Sequence, residues 1–156
     1  QAVSLLQEWV IRFETFEPIN DAWTALLGQC SPLLQQPEGE IFALWQRFVE
    51  TVAHRTQEYE QLMSYFLFRY FLKCVYTGDC RTPVRLAVVS TMMIAWLDVT
   101  RFWKTGRFTP KDRIQIAGLY SKQMEYSEEN WAGLEEALLF DQAFEDALLQ
   151  DLLCSL

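Results

Sequence analysis

The stretch from Gln57 to Tyr76, QEYEQLMSYFLFRYFLKCVY, decides the fold of this chain. It contains neither Gly nor Pro, and apolar or aromatic side chains cover it almost all the way round. At the helical period its polar side chains fall four apart on one narrow stripe, at Gln61, Tyr65, Arg69 and Lys73. Because a helix with so little polar surface is packed on most sides, the stretch predicts a central and largely buried helix.

A second apolar helix is predicted from Pro83 to Lys104, directly after the turn TGDCRTP. Thr82 is placed to cap this helix with Pro83 at its first position, and Gly106 is placed to end it. Charged residues such as Arg85 and Asp98 interrupt its apolar run, so we expect no membrane span. The helix is expected to pack antiparallel to the first one.

The remaining segments predict more helices and no strand. Asn20 or Asp21 can cap a helix DAWTALLGQC (21–30), and the segment PLLQQPEGE (32–40), with two prolines and a Gly, predicts a linker. Thr109-Pro110, with Asp112 in the first turn, begins another helix. Whether that helix bends or stops near Ser127 stays open, because residues 127–130 are typical of a helix start.

We therefore expect an all-α fold: a single-domain helical bundle of six to eight helices with two largely buried central helices. A chain of 156 residues is long enough for one domain, with N-terminal helices and a linker in residues 1–56 and the helical core in residues 57–156. The start, QAVSLLQEWV, is typical of the middle of an amphipathic helix, so we expect a fragment of a longer protein.

Charge is unevenly spread along the chain. The formal net charge is −8, and residues 123–156 contain nine acidic residues and no Lys, Arg or His. This balance excludes the basic patches that nucleic acids need and favours cationic or lysine-bearing partners. A solubilising surface is the simpler interpretation of an acidic tail, and both remain open.

No metal site or catalytic motif is found. The four cysteines, Cys30, Cys74, Cys80 and Cys154, form no C-x-x-C pair, and His54 is the single histidine. No zinc site of usual spacing can be assembled from them, and no catalytic residue is identified. In the absence of a secretory signal we expect reduced thiols and a cytoplasmic location, with Cys74 buried in the apolar stretch.

Two groups of residues are candidates for a binding site. Arg69 and Lys73, one helical turn apart, could bind an anion or orient a carboxylate; alternatively they pair with Asp98 or with acids of the last helices. The second group is a polar and aromatic patch made up of Tyr120, Ser121, Lys122, Glu125, Tyr126, Glu128 and Asn130. A carboxylate beside tyrosines could hold a lysine ammonium, whereas the simpler alternative is a Lys122–Glu125 surface pair.

Three segments carry a family resemblance: YEQLMSYFLFRYF (59–71), KCVYTGDCRTPVRLAVVSTMMIAWLD (73–98) and IAGLYSKQMEYSEEN (116–130). Together they resemble the C-terminal part of bacterial flagellin lysine-N-methylases. Ser121, Lys122, Glu125 and Asn130 match the Ser-Arg/Lys, Glu-His and Asn pattern of that family. Tyr126 stands where the pattern has His, so no acid/base role is carried over to this position.

The resemblance implies a parent protein that methylates flagellin lysines with S-adenosylmethionine and carries an iron–sulfur cluster in an N-terminal cysteine-rich region. These residues contain no counterpart of that region. The chain is then expected to need no cofactor, to be inactive in methyl transfer by itself, and to dock or position flagellin. Its expected partners are flagellin and the missing N-terminal cysteine-rich domain.

A function from another class remains open. The apolar central helices are equally typical of a non-enzymatic helical ligand-binding or protein-interaction module. Such a module would bind a small hydrophobic ligand in a pocket lined by aromatic residues, and it would dimerise through a large apolar face.

Overall fold

The computed structural model describes residues 2–155, and every regular secondary-structure element in this range is a helix. Within this range the prediction of an all-α bundle is confirmed, with no strand and eight helices of eight residues or more. The helices are α1 (Ala2–Glu14), α2 (Asp21–Gly28), α3 (Cys30–Leu34), α4 (Glu38–Thr51), α5 (Gln57–Tyr70), α6 (Cys74–Thr77), α7 (Arg81–Thr105), α8 (Pro110–Met124), α9 (Glu128–Phe140) and α10 (Asp146–Ser155).

Helix α7 is the centre of the bundle. Sixteen of its 25 residues are buried, and α3, α4, α5, α8, α9 and α10 all pack against it. It is long and apolar enough to cross a membrane, but 78% of its most apolar window is buried inside the fold, as in the core helix of a bundle. Gly106, with φ 71°, ends the helix as predicted, because this left-handed conformation is strained for other residues.

The start of α7 differs from the prediction. Asp79, and not Thr82, caps the helix: its Oδ1 accepts hydrogen bonds from the backbone N–H groups of Arg81 and Thr82. The Thr82 hydroxyl itself donates to the Asp79 carboxylate. An aspartate can satisfy several free N–H groups of a first turn at once, which the shorter Thr82 side chain does not do here.

Helix α5 pairs with α7, but the two central helices share burial unequally. The predicted helix 57–76 continues beyond Tyr70 through a tighter 3-10 turn, Phe71–Lys73, into α6. Its inner face buries Phe66 and Tyr70, while Phe68 is 82% exposed on the outer face. The apolar composition of the stretch 57–76 therefore predicted a helix that packs against the second apolar helix. A second apolar face of α5, which carries Phe68, nevertheless lies in solvent.

The predicted linker after Ser31 is wrong in its first half. Leu33 and Leu34 lie in α3 and are buried, with the Leu34 carbonyl accepting a hydrogen bond from Gln7 at 2.7 Å. Pro32 is tolerated there because it lies in the first turn of the short helix, where no intrahelical donor is lost. The expected cap of α2 is confirmed, since the Asn20 side chain accepts from Trp23 N–H.

Side-chain caps begin both α8 and α9. Thr109 and Asp112 form a reciprocal capping box at the start of α8, and the Ser127 side chain accepts from Asn130 N–H at the start of α9. The side chain of Asn130 then bonds the backbone of Glu17 on both sides, at 3.0 and 2.8 Å. These contacts hold the end of α8, which carries Glu125, against the bundle.

Candidate functional site

A buried carboxylate surrounded by tyrosines lies where the end of α8 meets α5. Glu125 follows the last residue of α8, and its side chain is only 4% exposed. Its Oε1 accepts hydrogen bonds from the hydroxyls of Tyr65 at 2.8 Å and Tyr70 at 2.6 Å. Two hydroxyl donors on one carboxylate oxygen offset much of the cost of removing that charge from water.

Arg69 supplies the opposite charge from the solvent side. Its Nε lies 3.5 Å from Glu125 Oε1 and donates to the Tyr70 hydroxyl at 3.0 Å. The Arg69 side chain is nevertheless 57% exposed, and its guanidinium lies 5.6 Å from the centre of the Tyr70 ring. We call Glu125, Tyr65, Tyr70 and Arg69 the open cluster, because its cation lies at the surface.

Both tyrosines of the open cluster are held in the protonated form. Burial, followed by the hydrogen bond to Glu125, raises the pKa of Tyr65 to about 12. The same two causes raise the pKa of Tyr70 above its ordinary value. At neutral pH both hydroxyls are therefore donors that are fixed on the carboxylate.

The Tyr70 ring joins the open cluster to a second pair of charges. On one side it packs against Trp131, with ring centres 4.5 Å apart. Lys73 lies 5.5 Å from the ring centre and pairs with Glu135 of α9 at 3.3 Å. The two exposed cations of the predicted Arg69–Lys73 pair thus share one aromatic ring, but each has a carboxylate of its own.

The predicted site residues separate into two groups. Arg69 and Glu125 meet in the open cluster, with Lys73 at its edge. Tyr120 is fully buried, and its hydroxyl donates to Ser90 at 2.8 Å. Asn130 is 2% exposed and holds backbone groups, donating to the carbonyls of Glu17 and Gln123. Tyr120 and Asn130 therefore support the site from the core and do not open to solvent.

The other members of the predicted patch lie at the surface. Tyr126 is 80% exposed, Lys122 and Glu128 are exposed, and Ser121 is half-buried. The alternative of a Lys122–Glu125 surface pair is wrong, because Glu125 turns inward to the two tyrosines and to Arg69. Among the described contacts, none brings Lys122 to a carboxylate.

Sequence reasoning missed Tyr65 and Tyr70 as ligands of Glu125. In the sequence Tyr65 lies on the polar stripe of the stretch 57–76, and Tyr70 lies among the apolar residues beside that stripe. The signal that could have identified them is their position on either side of Arg69 on one helix, since a buried carboxylate needs several donors.

A second cluster of the same chemical types lies deeper in the bundle. Asp98 of α7 is fully buried, and its Oδ2 accepts a hydrogen bond from the Tyr59 hydroxyl at 2.9 Å. Arg113 of α8 places Nε 2.9 Å from the same oxygen, and its guanidinium lies 3.9 Å from the centre of the Tyr59 ring. We call Asp98, Tyr59 and Arg113 the closed cluster, because the Arg113 side chain is only 8% exposed.

The closed cluster also extends to the surface through a second carboxylate. Arg113 Nη1 lies 3.4 Å from Glu58, which receives two hydrogen bonds from Arg55. Burial raises the pKa of Asp98 to about 7 in spite of Arg113 and Tyr59, which both favour its charged form. The predicted pairing of Asp98 with Arg69 or Lys73 is therefore wrong, because Arg113 occupies that position. The alternative of a pairing with an acid of the last helices is confirmed for Lys73, which pairs with Glu135 of α9.

An apolar cleft of 490 Å³ lies beside the closed cluster, between α4, α5 and α7. Its walls are aromatic, aliphatic and thioether groups, and Tyr59 reaches its edge. The residues that dominate the lining are Trp45, Phe48, Val52, Met63, Met92 and Ala95. The cleft can accept an apolar ligand but offers few polar groups to orient one.

The cysteines do not converge on a site in the part of the chain that the structure describes. Cys30 is buried, and burial raises the pKa of its thiol to about 12. Cys74 is half-buried and not buried as expected, and Cys80 is exposed; the Cys154 side chain lies outside the described residues. Within those residues no group of three His, Cys, Asp or Glu side chains could hold a metal ion.

Comparison with known proteins identifies the family. The family of FliB lysine N-methylase C-terminal domains matches the chain over residues 1–150. Because the match covers nearly the whole chain, the protein belongs to this family, and the predicted resemblance extends to residues 1–56 as well. No curated protein and no solved structure matches the chain.

Proposed function

We propose that this C-terminal domain of a lysine N-methylase docks flagellin and holds its lysine at the open cluster, without transferring the methyl group by itself. The observation that carries the proposal is the Glu125 carboxylate, which is held by two tyrosine hydroxyls and paired with an exposed arginine. A lysine ammonium needs such an acceptor together with an aromatic surface.

Arg69 marks the position that the substrate lysine would take. In the free domain its cationic group lies 3.5 Å from Glu125 and 5.6 Å from the Tyr70 ring. Because the Arg69 side chain is 57% exposed, its guanidinium can return to water when a substrate cation takes its place on Glu125. Arg69 thus keeps the buried carboxylate paired until the substrate binds.

The electrostatics of the open cluster favour holding a lysine over activating it. Methyl transfer requires the neutral amine, whereas a carboxylate within hydrogen-bond distance favours the charged ammonium. The open cluster would therefore bind the lysine before its deprotonation.

The residues of this chain do not fit the cofactors of a lysine methylase of this kind. The apolar cleft has no basic side chain for the carboxylate of S-adenosylmethionine. In the groove beside α10, Arg85 is already bonded to Asp146 at 2.7 Å and to the Leu138 carbonyl at 2.7 Å, and Arg81 lies 4.0 Å from the same Asp146 carboxylate. Of the described cysteines only Cys74 and Cys80 lie next to each other, and the described residues offer no group of three His, Cys, Asp or Glu side chains, so they do not fit an iron–sulfur cluster. We assign both cofactors to the N-terminal cysteine-rich domain and derive no step through them.

The proposal is tested by calorimetric titration of the chain with unmethylated flagellin. Glu125→Gln keeps the size of the side chain but removes its charge, and we expect affinity to fall about 10- to 100-fold, because a charge-assisted hydrogen bond is lost. The matched control is Glu129→Gln, an exposed acid of α9 that should leave affinity unchanged. Equal affinity of the wild type and the Glu125 variant would contradict the proposal.

A second function is favoured by the apolar cleft. A volume of 490 Å³ with a largely apolar lining suits a small hydrophobic ligand, as expected of a non-enzymatic binding module. Displacement of a fluorescent apolar probe would test it, with Met92→Trp on the cleft wall as the variant that fills the space. Loss of probe binding in this variant, without any change in flagellin affinity, would make the cleft an independent site.

A further inference from the structure

The outer face of α5 and α6 carries a row of exposed apolar side chains. Their exposed fractions are 43% for Tyr65, 82% for Phe68, 69% for Leu72, 74% for Val75 and 91% for Tyr76. They recur three and four residues apart, so they follow one side of the helical segment. We call these five residues the apolar stripe.

Exposure of the apolar stripe to water is unfavourable in free energy for the free domain. Large side chains that are exposed singly are common, but a contiguous exposed row marks an interaction surface. The stripe lies on a helix whose other face packs against α7, so its position is fixed by the core. In the part of the chain that the structure describes, no element covers it.

The stripe begins at the open cluster. Tyr65 belongs to both, since its hydroxyl donates to Glu125 while 43% of the residue is exposed. Any segment that places a cation on Glu125 and continues along α5 therefore lies on Phe68, Leu72 and the residues beyond. The geometry joins a site for one cation to an apolar track that leads away from it.

We propose that the apolar stripe binds the segment of the substrate protein that flanks the captured lysine, and that it selects lysines with apolar residues along one side. The inference rests on the proposed function of the open cluster. The stripe spans twelve residues of helical chain from Tyr65 to Tyr76, or about 16 Å at the α-helical rise. A helical substrate segment matches it with apolar side chains about three, seven and ten residues from the lysine.

Charge favours this occupant over a membrane or a second copy. Arg69 and Lys73, the cations beside the stripe, are paired with Glu125 and Glu135, so an anionic lipid surface finds little attraction. Two copies of the chain, each with a net charge of −8, repel one another. A lysine-bearing segment instead brings the charge that Glu125 accepts.

Peptide titrations test the inference on the 156-residue chain. One set of synthetic peptides carries a single lysine with leucines three, seven and ten residues before or after it; the matched set carries serines at those positions. We expect the better leucine peptide to bind about tenfold more tightly than its serine counterpart. The variant Phe68→Ser/Leu72→Ser should remove this preference, and Ile11→Ser, at an apolar residue on α1 that is 61% exposed, should retain it.

The outcomes separate the inference from the proposed function. If Glu125→Gln weakens every lysine peptide while the leucine preference persists, both are supported. If leucine and serine peptides bind the wild type equally while Glu125→Gln still weakens both, the stripe inference is overturned and the proposed function stands. If the leucine preference exists but a lysine-to-glutamine peptide binds as well as its parent, the proposed function fails, and with it a lysine-bearing occupant.

Sedimentation of the chain alone tests the second copy as occupant. We expect the wild type to sediment as a monomer at micromolar concentration. A dimer that is lost in Phe68→Ser/Leu72→Ser would show that another copy covers the stripe, which would overturn the inference.

Discussion

The open and closed clusters contain the same chemical groups in different surroundings. Each has one carboxylate that accepts a tyrosine hydroxyl, with an arginine beside it. In the closed cluster the arginine is 8% exposed and stacks 3.9 Å from a tyrosine ring. In the open cluster the arginine is 57% exposed and lies 5.6 Å from the ring. The chemical groups are of the same types, and the largest difference is the burial of the cation.

That difference separates a structural cluster from a binding site. A buried ion pair cannot lose one partner without leaving a charge in a poorly solvated place. An exposed arginine can move into water at little cost, and the carboxylate it leaves is then available to another cation. The closed cluster therefore holds α5, α7 and α8 together, whereas the open cluster is able to exchange its cation.

The largest expected contrast is in stability. Arg113→Ala should lower the free energy of unfolding by about 3 kcal/mol, because it leaves Asp98 unpaired in the core. The measurement is urea unfolding at pH 8, where Asp98 is ionised. Arg69→Ala is the matched control in the open cluster and should cost clearly less, because the Arg69 side chain is 57% exposed. Equal losses in the two variants would remove the distinction between the clusters.

The pH dependence of stability should isolate Asp98. Its folded pKa of about 7 lies above the unfolded value of about 3.9, so between these pH values the folded state keeps a proton that the unfolded state has released. Its contribution to stability is thus present below about pH 4 and is lost as pH rises through 7. The wild type should lose stability relative to Asp98→Asn over this range, in unfolding curves at pH 4 to 8.

The contrary result would be a wild type whose stability relative to Asp98→Asn rises with pH. It would mean that the charge of Arg113 outweighs burial and keeps the Asp98 carboxylate ionised. Other carboxylates, such as Asp79 and Asp112, have lowered pKa values, so they make both proteins more stable as pH rises. Because this effect is the same in the wild type and in Asp98→Asn, it cancels when the two unfolding free energies are subtracted.

If a substrate lysine replaces Arg69 at Glu125, removal of Arg69 should increase the affinity for a lysine peptide. Arg69→Gln removes the group that competes for Glu125, so a lysine peptide should bind about three- to tenfold more tightly. Arg69→Lys retains the charge and should bind as the wild type does. A loss of affinity in Arg69→Gln would show that the arginine contacts the substrate and does not give way to it.

The smallest effect is expected from a single tyrosine. Tyr70→Phe removes the 2.6 Å hydrogen bond to Glu125 and the group to which Arg69 donates, while the ring stays packed on Trp131. Affinity for a lysine peptide should fall by about fivefold, as for one hydrogen bond of about 1 kcal/mol. Unchanged affinity would mean that Tyr65 alone positions the carboxylate.

Local signals predicted much of the fold. Thr109 with Pro110 begins α8 and Gly106 ends α7 as expected, because each acts on backbone groups a few residues away. Asn20, one of two candidates, caps α2, and Ser127 begins a new helix where the sequence left a bend or a stop open. The fold predictions were wrong where the position of a residue depends on a contact far away in the sequence. Leu34 appeared to belong to a proline-rich linker but is buried in α3, a placement that depends on its contact with α1.

The candidate site was predicted only in part for the same reason. Glu125 and Arg69 were identified as candidates on separate helices, but nothing in their spacing joins residues 56 positions apart. The pairing of Asp98 with Arg113, and not with Arg69, depends on which face of α5 meets α7, and an apolar stretch with two apolar faces leaves that choice open. Charge partners across helices are decided by packing, not by periodicity.

The most direct test of the account is an NMR titration of the isotopically labelled chain with an unmethylated lysine peptide. We expect the Arg69 side-chain Nε–H signal to shift toward its free position, together with changes at Tyr65, Tyr70 and Glu125, while the Arg113 signal remains still. Shifts confined to the apolar cleft around Trp45 and Met92, with Arg69 unmoved, would contradict capture of a lysine at Glu125.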